Sequence, residues 1–413
     1  MTRLVMKFGG TSVADLEKIE SAAEKVVREA RKGAQVAVVV SAMAGVTNQL
    51  VGYCRSLSSF HDSREYDTVV SSGEQVTAGL MAIALQKHDL AARSWMGWQL
   101  PIECDDFHSQ ARIRNIGSDI ICERMSKGEI AIVAGFQGVT DKQRIATLGR
   151  GGSDTSAVAL AAAIQADRCD IYTDVDGVYT ADPRIVPKAR KRKELAYEEM
   201  LEMASLGAKV LQTRSVEMAM KELMPVQVLS SFEDNIGSDF PGTTIKSEED
   251  IVEKEVVNGI TSSKDDAKIV LRNVPDVPGL AAKVFGPLAD AGINVDMIVQ
   301  NVSADMQKTD MTFTVPRASM DNAMALLKDQ KELKDLPISG ESDVTKISVV
   351  GIGMRSHAGV AQKMFRTLAD KGINIQVIST SEIKISVLID EEYTELAMRA
   401  LHSTYGLDKD SSA

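Results

Sequence analysis

Val36-Ala37-Val38-Val39-Val40 is an unbroken apolar run, mostly β-branched, that stops at Ser41. A strand of this kind has no solvent face. It belongs in a parallel sheet covered by helices on both sides. The pattern recurs at Ile130 to Ala134 before Gly135, and at Cys169 to Thr173 before Asp174. Helix-like stretches separate the runs. Leu16, Ile19, Ala23, Val26, Val27 and Ala30 fall on one face at helical spacing, and Gly33 follows as a C-terminal cap. The alternation continues to Ile245 and predicts an α/β domain with a mainly parallel sheet. Ligands of such sheets sit beyond the carboxyl ends of the strands, which places Ser41, Gly135 and Asp174 on the binding side.

Two loops on that side suit a polyphosphate. Lys7-Phe8-Gly9-Gly10-Thr11-Ser12 follows an apolar strand with a lysine, two glycines and two hydroxyls. Gly149-Arg150-Gly151-Gly152-Ser153-Asp154-Thr155 has the same character and precedes an alanine-rich helix expected from about Ser156 to Ala166. Backbone N–H groups at a helix start, together with its dipole, favour an anion. Taken singly, each feature has a structural reading. Gly-Gly can be a tight turn, Asp154 an N-cap, Glu74 a first-turn partner of the next helix, and Asp182-Pro183 turn chemistry.

Composition narrows the partners. A chain of 413 residues is too long for one core and calls for two or three domains. The net charge of −11 argues against nucleic acid and anionic membrane, and the basic run Lys188 to Lys193 reads as a solvated loop. Cys54, Cys104, Cys122 and Cys169 form no framework, which fits a reducing cytoplasm. No histidine pair has metal spacing, so the five histidines read as surface or structural residues. No leader-like or membrane-spanning apolar stretch is expected. A Gly-x-x-x-x-Gly-Lys-Ser/Thr loop is absent, as are protein-kinase signatures, and Gly351-Ile-Gly353 lacks the third glycine of a dinucleotide loop.

Beyond a charged stretch from Ser247 to Glu255 the chain repeats itself. Gly279 to Phe285 resembles Gly359 to Phe365, and Ala289 to Asn294 resembles Ala369 to Asn374. The offset is the same in both: 359 − 279 = 80 and 374 − 294 = 80. A constant offset marks a duplicated module, each copy reading strand, loop, helix, Gly-Ile-Asn turn, strand.

These segments together resemble the aspartate kinase (aspartokinase) family over essentially the whole chain. The resemblance rests on Lys7 to Ser12, Gly149 to Asp154, Thr173-Asp-Val-Asp-Gly-Val-Tyr179 through Arg184, and Pro241-Gly-Thr243. The duplicated region resembles tandem ACT modules. The implied fold is an amino-acid-kinase αβα sandwich over 1–246, a linker and strand over 247–263 pairing with the second ACT domain, then ferredoxin-like ACT domains over 264–336 and 344–413. The implied reaction takes ATP and Mg²⁺ and phosphorylates the side chain of L-aspartate. By the resemblance Lys7, Lys209 and Asp154 are catalytic. Ser41, Thr47, Glu74, Arg150, Ser153 and Asp154 bind substrate. Lys7, Gly9, Gly10, Thr173, Asp174, Tyr179, Arg184 and Lys209 bind nucleotide. No protein ligand to the metal is expected, since in this family phosphate and water hold it.

The chemistry is compatible with those residues. A carboxylate has a pKa near about 3.9 and attacks without a general base. The obstacle is an anion meeting a polyanion, so catalysis reduces to positioning and charge neutralisation. Arg150 can clasp the α-carboxylate in a bidentate pair, and Glu74 and Asp154 can balance the ammonium. One departure from the family is Gln212-Thr213, where many members carry His-Pro; it implies altered local packing with catalysis kept.

The resemblance also implies feedback inhibition by lysine, threonine or both, and a homo-oligomer, dimer or tetramer, formed through the ACT domains. Expected effector contacts in the first copy are Asp276, Val277, Pro278, Gly279, Leu280, Ala281, Asn294, Val295, Asp296 and Gln300. In the second they are Gly359, Val360, Asn374, Ile375, Ser381 and Glu382. The alternatives are another carboxylate kinase of the same fold, such as glutamate 5-kinase, and a non-catalytic amino-acid sensor. The repeats argue against the first. Intact Lys7, Arg150, Asp154 and Lys209 argue against the second.

Overall fold

The computed structural model describes residues 2–207, 210–233, 242–251, 255–302, 308–333 and 335–409. They form two compact units. Residues up to Val178, Lys191–Ser205 and 210–251 make one; Tyr179–Arg190, Leu206, Gly207 and residues from 255 onward make the other. The first unit is therefore discontinuous in sequence, and the single boundary expected at 246 misses the excursion at Tyr179–Arg190.

The first unit is built on an eight-stranded sheet. From one edge to the other its strands are Glu194–Ala196, Thr243–Lys246, Val226–Ser230, Arg168–Thr173, Arg3–Phe8, Gln35–Val40, Ile130–Ala134 and Ala92–Trp95. The six from Val226–Ser230 to Ala92–Trp95 run parallel, and only the Val226–Ser230 pairing with Thr243–Lys246 is antiparallel. The three apolar runs are interior strands of this sheet and are buried almost throughout.

Alternation within these strands decides which helix each residue meets. Met6, Phe8, Val36, Val38, Ile130 and Ile132 pack with helices Leu16–Arg31 and Ser72–Gln86 in one core. Phe8 stacks on Tyr172 with ring centroids 4.7 Å apart. Side chains one residue out of step, Lys7 and Val39 among them, face the helix Gly152–Ala163 on the other side. That helix has Gly152 through Ala161 all buried, so it is a core element rather than an amphipathic one. It starts at Gly152, several residues before the expected Ser156, because Gly151 at φ 71° turns the chain into it directly. Leu16, expected on the buried face, is instead 63% exposed at the first helical position.

A second, four-stranded sheet was not legible in the sequence. Its order is Ile113–Ile116, Ile102–Cys104, Gln137–Thr140, Ile145–Thr147. Its last strand delivers the chain to the Gly149–Asp154 loop.

The second unit contains two four-stranded antiparallel sheets, each with a pair of helices. In the first the order is Asp296–Val302, Lys308–Pro316, Asp266–Pro275, Ile338–Glu341. The first repeat thus extends to Glu341, past the expected limit at 336. In the second the order is Gly259–Ser263, Val344–Val350, Lys384–Asp390, Val377–Thr380. The offset of 80 is visible in three dimensions. Leu280, Val284, Leu288 and Ile293 are buried in one copy, and Val360, Met364, Leu368 and Ile373 in the other. Gly279 and Gly359 both adopt positive φ, 88° and 93°, at the start of the helices Leu280–Asp290 and Val360–Asp370.

The two sheets meet at Met297, Val299, Val344, Val377 and Leu388. Lys346, 6% exposed, pairs there with Asp266 at 3.1 Å and Asp296 at 2.9 Å. Tyr179–Arg190 joins the second core through Ala181 and Val186, and the Thr180 hydroxyl meets His402 Nε2 at 2.9 Å.

Candidate active site

The carboxyl ends of the central strands bring most of the expected residues together. Lys7 is 7% exposed and forms an ion pair with Asp154 from the first turn of the Gly152–Ala163 helix. A lone ammonium in an apolar strand would be costly to bury, and the carboxylate opposite it compensates. Asp154 does not cap the helix, because Gly151 takes that position and makes no side-chain bond. Ser153 is 8% exposed beside Asp154.

The loop after Lys7 turns tightly through Gly10–Val13. A Cβ on Gly10 would lie 3.0 Å from the carbonyl oxygen of Ala42, so a glycine there lets the loops after two neighbouring strands touch. The Gly9 N–H, expected on phosphate, donates to the Tyr172 carbonyl at 3.3 Å. Ser41 donates its N–H to the Phe8 carbonyl at 3.1 Å. Thr47 is partly buried in the helix Val46–Leu57.

Glu74 lies in the first turn of Ser72–Gln86 and is 3% exposed. Its Oε1 accepts from the Ala42 N–H at 3.0 Å, while Oε2 is buried without a partner. Burial pushes its carboxyl up to about 7, against the lowering effect of the Ala42 N–H. A buried carboxylate oxygen with nothing to accept from is a ready acceptor for an ammonium group.

Arg150 is exposed, next to this cluster in sequence, and no carboxylate among the described residues holds it. Thr173 ends the strand Arg168–Thr173 and its hydroxyl donates to Asp174, itself exposed, at 3.2 Å. Tyr179 and Arg184 belong to the second unit, where the exposed Arg184 pairs with Asp182 at 2.7 Å. Lys209 and Pro241 lie outside the described residues. Gln212 packs against the loop: a Cβ on Gly151 would come 2.1 Å from its Cγ.

Sequence reasoning missed Asp67, and it read His108 only as one of the surface or structural histidines. Asp67 is fully buried and accepts from the Ser109 and Thr147 N–H groups at 2.9 and 3.0 Å, with His108 Nδ1 at 2.8 Å. An aspartate in a polar helical stretch carries no signal of burial, so nothing in the sequence marked it.

The expected effector residues Asp276, Val277, Pro278, Gly279 and Ala281 are exposed ahead of and within the first turn of their helix, and Gly359 occupies the matching place in the second copy. Leu280 and Val360 are buried core residues instead. Asn294, Gln300, Asn374, Ser381 and Glu382 are exposed; Val295 and Ile375 are partly buried. Asp296 is engaged by Lys346.

Comparison with known proteins follows the same division. A model of the amino acid kinase family matches residues 2–230, and an ACT domain model matches 268–330 and 347–405. The aspartate kinase of Stutzerimonas stutzeri is 51% identical over 410 residues, covering 99% of this chain and 98% of its own. The chain belongs to the aspartokinase family. Among solved aspartokinases, E. coli aspartokinase III in complex with aspartate and ADP (R-state) superposes with a TM-score of 0.80 at 26% identity, over 97% of this chain and 99% of that one. The same enzyme in complex with lysine and aspartate (T-state) gives 0.77 at 27% identity, over the same shares. The mainly parallel sheet followed by two ACT-type sheets is thus the aspartokinase architecture. No helix of the described residues is long and apolar enough to cross a membrane.

Proposed function

We propose that the chain transfers the terminal phosphoryl group of ATP to the side-chain carboxylate of L-aspartate, giving 4-phospho-L-aspartate and ADP. The observation that carries this is the Lys7–Asp154 pair at the end of the central strands, with the orphaned Glu74 Oε2 on the neighbouring element. The ammonium of Lys7 is placed to neutralise charge on the transferring group. Glu74 and Asp154 accept from the substrate ammonium, and Arg150 clasps its α-carboxylate. Ser41, Thr47 and Ser153 complete the substrate site, and Gly10, Thr173 and Asp174 belong to the nucleotide site. The roles of Lys209, Tyr179 and Arg184 rest on the family resemblance alone.

No three His, Cys, Asp or Glu side chains converge as metal ligands among the described residues. Mg²⁺ carried on the nucleotide, with phosphate and water as its ligands, is what the family resemblance implies. The ion would supply charge neutralisation on the phosphates. The duplicated modules respond to lysine, threonine or both as feedback effectors, and pair between copies as a dimer or tetramer in the cytoplasm. An effector acts by binding an inactive arrangement more tightly than the active one.

A hydroxylamine trap of the acyl phosphate, with MgATP and L-aspartate, tests the reading. Hydroxamate is expected, and its suppression by lysine or threonine supports the regulatory role. Hydroxamate with glutamate and none with aspartate overturns the substrate assignment.

A further inference from the structure

We propose that Asp67 is a positioning residue that sets the affinity for aspartate through the loop bearing Arg150; this rests on Arg150 binding the α-carboxylate. Asp67 sits in the helix Ser63–Val70, fully buried. Its Oδ2 accepts from Ser109 N and Thr147 N and meets His108 Nδ1; its Oδ1 accepts from the Thr147 hydroxyl at 2.6 Å and the Ser109 hydroxyl at 3.2 Å. Those donors come from two separate stretches and saturate the carboxylate.

Both stretches adjoin Arg150. Thr147 ends its strand three residues earlier, and its carbonyl accepts from the Ala111 N–H at 2.9 Å. A Cβ on Gly149 would lie 3.0 Å from the Ser109 carbonyl, so the two stretches touch at the base of the loop. Arg214 closes the other side, donating to the carbonyls of Leu148 and Ala111 at 2.6 Å each. Arg150 has no carboxylate of its own to hold it, so the chain beneath it fixes where its guanidinium starts. A buried charge is expensive to keep. Here it locks the base of the one loop whose exposed cation must meet a carboxylate.

Steady-state kinetics of Asp67→Asn test this in the full chain. The neutral amide turns one acceptor into a donor facing donors. KM for aspartate is expected to rise about tenfold, less than the roughly 10²-fold that a 1 Å misplacement of reacting groups can cost. KM for ATP should stay within about twofold, a split that general loosening of the fold does not produce. Thr147→Val, which removes one donor at nearly constant volume, should shift the aspartate KM in the same direction by less. In an Arg150→Ala background Asp67→Asn should add little. An unchanged aspartate KM, a parallel rise for ATP, or full additivity with Arg150→Ala each overturns the proposal. Should Asp67→Asn not fold, an unchanged aspartate KM in both Thr147→Val and Ser109→Ala overturns it. An Arg150→Ala variant with unaltered aspartate KM sinks the Arg150 reading and this proposal together. A raised KM in Arg150→Ala but not in Asp67→Asn sinks the proposal alone.

Discussion

Lys7 shows how one residue in the wrong-looking place identifies a site. A lysine within an apolar strand, one step out of phase with Met6 and Phe8, is carried to the face where Asp154 waits. Lys7→Ala should lower kcat by roughly 10²-fold, the usual cost of removing one transition-state donor, while circular dichroism stays native. Near-normal turnover would remove its assigned role. Glu74 makes a second prediction at this scale. Its pKa is raised by burial to about 7, so below that pH the carboxyl is protonated in the free protein and cannot balance an ammonium. The proton is held more tightly folded than unfolded, so Glu74 favours the folded state most at low pH. That contribution declines as pH rises from the ordinary carboxylate range towards 7. Activity moves the opposite way. kcat/KM for aspartate should fall about tenfold per pH unit below about 7. A flat profile through that range would exclude Glu74 as the ammonium partner.

At the scale of elements, the central strands and the helix Leu16–Arg31 were legible because burial on both faces, or on one stripe, leaves a periodic trace. The loops carried their glycines openly. The start of the Gly152–Ala163 helix was not legible, since an all-buried helix has no polar face to mark its phase. Nor was the small sheet ending at Thr147, whose strands are three or four residues long. Of the groups around Asp67, Thr147 belongs to that sheet and Ser109 to the chain between two of its strands. The entry to the helix yields a prediction. Gly151 sits at φ 71°, and a Cβ there would come 2.1 Å from Gln212 Cγ. Gly151→Ala should cost about 1–3 kcal/mol, a backbone penalty plus a side-chain clash. Adding Gln212→Ala should recover the clash and leave the backbone part. Urea denaturation of Gly151→Ala, Gln212→Ala and the double variant separates the two, and a double variant as stable as Gln212→Ala would mean no backbone strain.

At the scale of the whole molecule, the constant offset of 80 exposed the duplication, while the pairing of a strand over 247–263 with the second module was implied by the family resemblance and not by the periodicity. The edge strand beside Asp266–Pro275, Ile338–Glu341, closes its own repeat from the C-terminal end, whereas the one beside Val344–Val350, Gly259–Ser263, precedes both repeats. Periodicity has no memory of which neighbour a short strand joins. The second module is thereby closed by chain that lies before the first, and Lys346 fastens the two sheets from inside. Burial would lower the Lys346 pKa, but Asp266 and Asp296 outweigh it and raise it, so the ammonium stays charged between them. Removing one member of such a buried cluster strands the others. Lys346→Met should therefore cost about 3 kcal/mol, below the top of the range for buried pairs because Asp296 is partly in solvent. The loss should fall on the join. Hydrogen exchange should quicken in Val344–Val350 and Asp296–Val302 while the central strands of the first unit keep their protection. Uniform quickening in both units would show that Lys346 holds the chain's global stability instead. Unchanged exchange would show that the apolar contact of Met297, Val344 and Leu388 suffices without it.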